Sequence, residues 1–185
     1  MTGSRFDVES WDTGFYWRRT LTKTGSAGAP AVQPPPLRPF GLVLHHDGRW
    51  THEEHPILNR KMRELFDRSV VYLPTEDKFI VKLGHFRGEI EIEEAGFFVK
   101  AVDLAESQVH LSDGQVDRLE IGTLEVSPLD GALLCRVKHD LVPSGLRARF
   151  CHSAQAELLG AAEEGPDGEG WFVVLAGGPE RMPEL

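Results

Sequence analysis

Asp47-Gly48-Arg49-Trp50-Thr51-His52-Glu53-Glu54-His55-Pro56-Ile57 decides the fold class of this chain, because it links an apolar strand to a helix and the helix to a run of further strands. Upstream, Phe40 to His45 is apolar, His46 to Arg49 supplies turn chemistry, and Trp50 starts the return, so a hairpin is predicted. Downstream, Ile57, Met62, Leu65 and Phe66 fall close to helical spacing and Asn59 can cap the first turn. A helix from Asn59 to Asp67 follows, with one face on a sheet. Val70 to Leu73 then reads as a short strand ended by the Pro74-Thr75-Glu76-Asp77 turn. Phe79, Val81 and Leu83 alternate with Lys78, Ile80 and Lys82, and Ile90 and Ile92 alternate with three glutamates. Paired antiparallel, these strands would set lysines against glutamates on their wet face.

The second half repeats the plan in outline. Phe97–Leu104, Val109–Leu111, Val116–Val126 and Leu133–Val137 read as strands, separated by turns at Ser112–Gln115 and Leu129–Gly131. Leu146, Phe150, Ala154, Leu158 and Ala161 lie at i, i+4, i+8, i+12 and i+15, which predicts a long helix from Ser144 to Glu164, ended by Gly165-Pro166-Asp167-Gly168. Trp171 to Leu175 adds a last strand. Strands then helix in each half give the expected class: α+β, two small antiparallel-sheet-plus-helix units related by internal duplication. The expected boundaries are an arm at 1–37, a first unit at 38–96 and a second at 97–185. Within the arm, Gly25–Pro36 is built of small residues and proline and suits a tether. Phe6–Arg19 carries Trp11, Phe15, Tyr16 and Trp17, whose exposure would be costly, so the arm is expected to dock on its own domain or on another subunit.

The chain has 185 residues and a formal charge of −9, enough length for one substantial core or two small ones. Its acidic balance disfavours DNA, whose phosphates need clustered Lys and Arg. Neither a stretch of about 18 apolar residues nor a short apolar leader is present in the sequence, so the expectation is a cytoplasmic protein without a membrane partner. Cys135 and Cys151 lack metal-knuckle or redox spacing and are read as packed, reduced thiols.

Gly48-x-Trp50, Pro56-Ile57, Leu65-Phe66 and the strand Phe97-Phe98-Val99-Lys100-Ala101-Val102-Asp103-Leu104 together resemble the bacterial family called domain of unknown function 1285 (DUF1285). The likeness continues through Leu133–Leu159 and Trp171–Gly178 and so covers about residues 40–178. It rests on order and spacing. The resemblance implies a duplicated α+β fold, a second half loosely like a pleckstrin-homology barrel with its C-terminal helix, a ligand site between the halves and a signalling role. The chain departs from the family's pattern at Asn59, where arginine is usual, and at Leu83–Gly88, where the family has a Thr-Pro-x-Glu-Lys turn.

Three groups of residues could carry chemistry. His45, His46, His52 and His55 cluster with Asp47, Glu53 and Glu54, but they lack the i, i+4 histidine pair of a zinc protease helix, and solvated loop residues are the preferred reading. Ser144 and the adjacent Cys151-His152 offer no nucleophile aligned with a base, so an N-cap and a core position explain them. The third group is electrostatic: Arg147 and Arg149 would lie in the first turn of the long helix, where cations are disfavoured, with Lys138 and His139 just upstream. Arginines paired with Asp140 explain this, but so does an anion site built from Lys138, Ser144 and Arg147, helped by Arg87 and stacked on Trp50. The expected function is a non-enzymatic module that binds a small anionic, nucleotide-like ligand between its halves, needs no cofactor or metal, and passes its state to a protein partner or by self-association. The alternatives are a protein-interaction adaptor using the aromatic arm and a free strand edge, and, less favoured, a metal-dependent hydrolase.

Overall fold

The computed structural model describes residues 37–165, 168 and 170–184, so residues 1–36 of the arm, its aromatics among them, lie outside the described residues. The first sheet begins with β1 (Arg38–Leu44), β2 (Trp50–His52) and β3 (His55–Pro56), an antiparallel meander. The β1–β2 hairpin is the expected one, with Leu44 opposite Trp50. Gly48 makes its turn possible: φ is +80°, a left-handed conformation that glycine adopts without steric cost. α1 (Arg60–Ser69) follows, and Asn59 caps it by accepting a hydrogen bond from the Met62 amide at 3.2 Å. Phe66 is its buried residue and packs against Trp50 with ring centroids 5.4 Å apart.

β4 (Val70–Leu73), β5 (Lys78–Leu83) and β6 (Phe86–Ile92) form a second antiparallel meander. It joins the first through a parallel pairing of β6 with β1, giving the strand order 3-2-1-6-5-4. The join is tight: a Cβ on Gly88 would sit 2.2 Å from the Phe40 ring. The expected lysine–glutamate pairing is diagonal rather than direct, with Lys78 Nζ 2.8 Å from Glu89 while Ile80 stands opposite Glu89.

The second sheet holds β7 (Phe97–Asp103), β8 (Gln108–Leu111), β9 (Val116–Arg118), β10 (Glu125–Val126), β11 (Leu133–Val137) and β12 (Leu146–Phe150) in the order 10-11-12-7-8-9. Two expectations fail here. The single strand Val116–Val126 breaks into β9, a 3-10 turn at Ile121–Thr123 and β10. Leu119, Ile121 and Leu124 are all buried, and no extended strand can aim residues at that spacing to one side.

The helix Ser144–Glu164 is also corrected. Leu146–Phe150 is strand β12, paired with β11 on one side and parallel to β7 on the other; the helix α2 spans only His152–Gly160; and Ala162–Glu164 is strand β13. A spacing of four residues satisfies period 2 as well as period 3.6, and Leu146-Arg147-Ala148-Arg149-Phe150 alternates. Ala154 and Leu158 of the apolar stripe are helical and fully buried. β13, β14 (Trp171–Leu175) and β15 (Gly178–Arg181) form a small third sheet.

The result is an α+β fold, mostly sheet, with two six-stranded sheets and two α-helices among the described residues. One hydrophobic cluster joins them, taking Leu44, Trp50 and Phe66 from the first half, Phe97, Val99, Val137 and Leu158 from the second, and Val173 and Leu175 from β14. None of the described helices is long and apolar enough to cross a membrane.

Candidate functional site

Three segments converge on one point at the seam of the two sheets. The β1–β2 turn brings His46 and Asp47, the β10–β11 turn brings Asp130, and the passage from β12 into α2 brings Arg149, Cys151 and His152; these residues line a cavity of about 360 Å³. The geometry follows from β12 being a strand. Its last residue, Phe150, packs into the core, the Cys151 amide donates to the Val99 carbonyl at 2.9 Å, and the chain turns into α2. Gln155, one turn into α2, accepts a hydrogen bond from the Leu133 amide at 2.9 Å and ties the helix to β11. Cys151 is the N-cap of α2 but makes no side-chain capping bond, so the helix start carries no side-chain acceptor for its free amides.

Arg149 is the electrostatic centre. Its side chain is 6% exposed and its guanidinium bridges two carboxylates, Nη1 to Glu94 at 2.5 Å and Nη2 to Asp130. Burial works against the arginine's charge, but hydrogen bonds to Asp130 and Glu94 outweigh it and hold its pKa above the ordinary value. The two acids differ: Glu94 is 5% exposed and also accepts from the Ser127 hydroxyl, whereas Asp130 is 42% exposed at the cavity mouth. Hydrogen bonds from Arg149 and the Ala132 amide hold Asp130 below the usual carboxylate range.

The neighbouring glutamate secures the other wall. Glu93 accepts from the His46 amide at 2.8 Å and lies 2.9 Å from its Nδ1, with His45 Nδ1 3.3 Å away. These contacts, the His46 amide first, lower its pKa to about 2. Glu93 and Glu94 thus fasten the hairpin of the first sheet and the arginine of the second to the same link between β6 and β7. Asp47 is engaged as well: despite the opposing effect of partial burial, the Arg49 amide and guanidinium keep its pKa below normal.

None of the five residues singled out from the sequence lines this cavity. Trp50 is 1% exposed and donates its indole N–H to Asp67 at 2.8 Å, so it is a core residue with no face left to stack on a ligand. Arg87 lies on β6, 3.8 Å from Glu76 across the sheet edge. Lys138 is buried, with Nζ bonded to Asp113 at 2.9 Å and Gln115 at 2.6 Å and 5.3 Å from the centre of the Phe97 ring. Ser144 sits in the turn before β12 and caps no helix, because α2 starts eight residues later. Arg147 is on β12, where it and the cross-strand Arg136 share Glu125 at 3.0 and 2.9 Å. The structure therefore brings Arg147 to Arg136, and not to Lys138, Arg87 or Trp50. Arg149, His46 and His152 stand among the residues weighed from the sequence but outside the five chosen for the site, and Asp130 stands there only as part of the Leu129–Gly131 turn. The signal for Arg149 was the alternation Leu-Arg-Ala-Arg-Phe, which makes its position a strand site facing away from Ala148 and Phe150.

The histidines are divided between roles: His45 Nε2 is 3.0 Å from the Thr51 hydroxyl, His46 is on Glu93, and His55 Nδ1 is 2.8 Å from the Glu53 carbonyl oxygen. Among the described residues no group of three or more His, Cys, Asp or Glu is disposed to hold a metal ion. Both cysteines are free; burial pushes the Cys135 thiol up to about 12.

Comparison with known proteins bears on the fold. The chain is similar to a DUF1285 family protein from Silicibacter pomeroyi DSS-3, with a TM-score of 0.55 at 20% identity over 80% of this chain and 82% of that one. A DUF1285 family protein from Shewanella baltica OS155 aligns at a TM-score of 0.44 and 13% identity, over 65% of this chain and 91% of that one. No protein-family model and no curated protein matches the chain. The likeness to the first structure is one of fold, and it agrees with the family resemblance carried by Gly48 to Leu104.

Proposed function

We propose that the chain is a cytoplasmic DUF1285-type binding module, not an enzyme, and that it takes a small ligand with a carboxylate or phosphate group in the cavity at Arg149. The observation that carries this reading is the unequal bridge: a buried arginine, held on one side by buried Glu94, meets on its other side a carboxylate that is 42% exposed at the mouth of a cavity between the two sheets. Asp130 stands where a ligand's anionic group would bind, and an incoming anion of better geometry would displace it. Displacement frees the β10–β11 turn, which gives a route from occupancy to a change on the surface. The uncapped start of α2 adds backbone donors beside the same guanidinium. This moves the anion site from Arg147, Lys138 and Ser144 to Arg149, and keeps the inter-half location that the family resemblance implies. A binding role fits the ionisable groups of the cavity better than catalysis does, because Arg149, Asp130, Asp47 and His46 each hold a structural partner. The second half, a sheet followed by α2, is in this reading the pleckstrin-homology-like part.

The test is a thermal-shift screen of the full chain against inorganic phosphate, mono- and dinucleotides and dicarboxylates. A compound that binds only the folded protein raises Tm with occupancy. The expected result is a shift that grows in Asp130→Asn, where the competing carboxylate is gone, and is unchanged in Arg147→Glu, which lies outside the cavity. No shift at about 10 mM in either the parent or Asp130→Asn defeats the reading, since the stabilisation RT ln(1 + [L]/Kd) would then correspond to no useful affinity.

A further inference from the structure

α1 is a basic helix in an acidic protein. It carries Arg60, Lys61, Arg63 and Arg68 against Glu64 and Asp67, a net of +2, whereas the whole chain stands at −9. Both of its carboxylates are used internally. Glu64 takes the Arg60 guanidinium at 2.7 Å, and Asp67 accepts from Trp50 and lies 3.9 Å from Lys100. No carboxylate among the described residues closes to ion-pair distance on Lys61, Arg63 or Arg68; the last two act on Glu64 only at longer range. Acidic residues outnumber basic ones by 29 to 20 in this chain, so cations left together without partners are the unusual case.

The same surface is apolar in part. Lys61, Leu65 and Arg68 fall at i, i+4 and i+7, on one face of the helix, and all three are exposed, Leu65 at 50%. Leu58, immediately before the cap, is 81% exposed. The opposite face, with Met62 and Phe66, packs on the core. Isolated exposed leucines are ordinary, but here Leu65 lies between the cations Lys61 and Arg68 on one face, and Leu58 is exposed just before the helix. The long stems of lysine and arginine extend that apolar strip while keeping their charge in water.

We propose that the face of α1 carrying Lys61, Leu65 and Arg68 is a docking surface for an acidic amphipathic segment of another protein, whose apolar side chains cover Leu58 and Leu65 while its carboxylates pair with Lys61 and Arg68. A local interaction of this kind suits the charge distribution. DNA and anionic membranes act over a Debye length of about 8–10 Å and beyond the few residues of one helix, so a protein of net charge −9 is repelled by both. An acidic peptide of a few turns meets α1 alone. The face is formed by α1 and the residue before its cap and includes no residue of the cavity, so this inference does not rest on the ligand reading.

The probe is a labelled synthetic peptide of about five helical turns, with leucines at i, i+3, i+4 and i+7 and glutamates elsewhere, titrated with the full chain by fluorescence anisotropy. A twin peptide with lysine for glutamate, phosphatidylserine vesicles and duplex DNA are titrated alongside. The expected outcome is binding of the glutamate peptide at about 10 µM, weakening as salt is raised. Lys61→Glu with Arg68→Glu should lose the glutamate peptide by at least about tenfold and acquire the lysine peptide; Leu65→Ser should weaken binding without that exchange. These side chains are exposed, so Tm checks that the variants fold. Equal binding of the glutamate peptide by the charge-reversed variant, no binding at about 1 mM, or a preference for vesicles or DNA overturns the proposal.

Discussion

Numbered from its own first strand, each six-stranded sheet has the order 4-5-6-1-2-3, with the first and sixth strands parallel and every other neighbour antiparallel. The helices break the symmetry. In the first half α1 connects the third strand to the fourth, whereas in the second a 3-10 turn makes that link and α2 follows the sixth strand. The two helix starts differ as well: Asn59 caps α1, and Cys151 leaves α2 uncapped beside Arg149. Two meanders joined by parallel central strands tolerate either filling, because the sheet needs only that its apolar faces be covered. What distinguishes the halves is where a helix is placed, and that difference puts the cavity beside α2.

The two halves share one core, and the largest effects are expected there. Trp50→Ala in the first half should cost about 4 kcal/mol and Leu158→Ala in the second about 3 kcal/mol, in the range for large-to-small changes at buried sites. Because one hydrophobic cluster contains both residues, each variant should lower the midpoint of the same single urea transition. Two separated transitions would mean that the sheets are independent folding units. Arg149→Ala comes next, at about 3 kcal/mol, since it strands the buried Glu94 carboxylate. Adding Glu94→Gln should recover a good part of that loss, and a double variant no better than the single one would deny the bridge its structural role.

The helix starts sharpen the contrast at smaller cost. Asn59→Ala should destabilise by about 1 kcal/mol, and Cys151→Ser, which supplies a capping hydroxyl to α2, should stabilise by about 0.5 kcal/mol. A Cys151→Ser protein less stable than the parent would show that thiol packing outweighs the missing cap. The remaining effect is read in pH and concerns Glu93. Its folded pKa of about 2 lies below the ordinary 4.5, so its contribution is fully present above about pH 4.5 and is lost as pH falls toward 2. A carboxyl resonance for Glu93 with a midpoint near 2 in the parent, moving up in His46→Ala, is the expected NMR result; the same midpoint in both would remove His46 from the link.

Where local chemistry and burial agree, the sequence was readable. The β1–β2 hairpin, the Asn59 cap, β4 with the turn after it, β11 and β14 all lie where turn residues, capping and periodicity put them. From Ser144 to Glu164 the pattern is ambiguous, because apolar residues four apart suit a strand and a helix equally. The choice was made by β11 and β7, which offer backbone partners on both sides of Leu146–Phe150. With that strand went the whole candidate anion site, since a helix start at Ser144 was its premise.

The α+β class, the order of most elements and the acidic balance follow from spacing, capping and composition and are legible along the chain. That β12 is a strand, that Trp50 is interior, and that Arg149 meets Glu94 and Asp130 comes from packing between distant segments. The two Arg149 contacts span 55 and 19 positions, and no local pattern encodes which distant carboxylate an arginine will find.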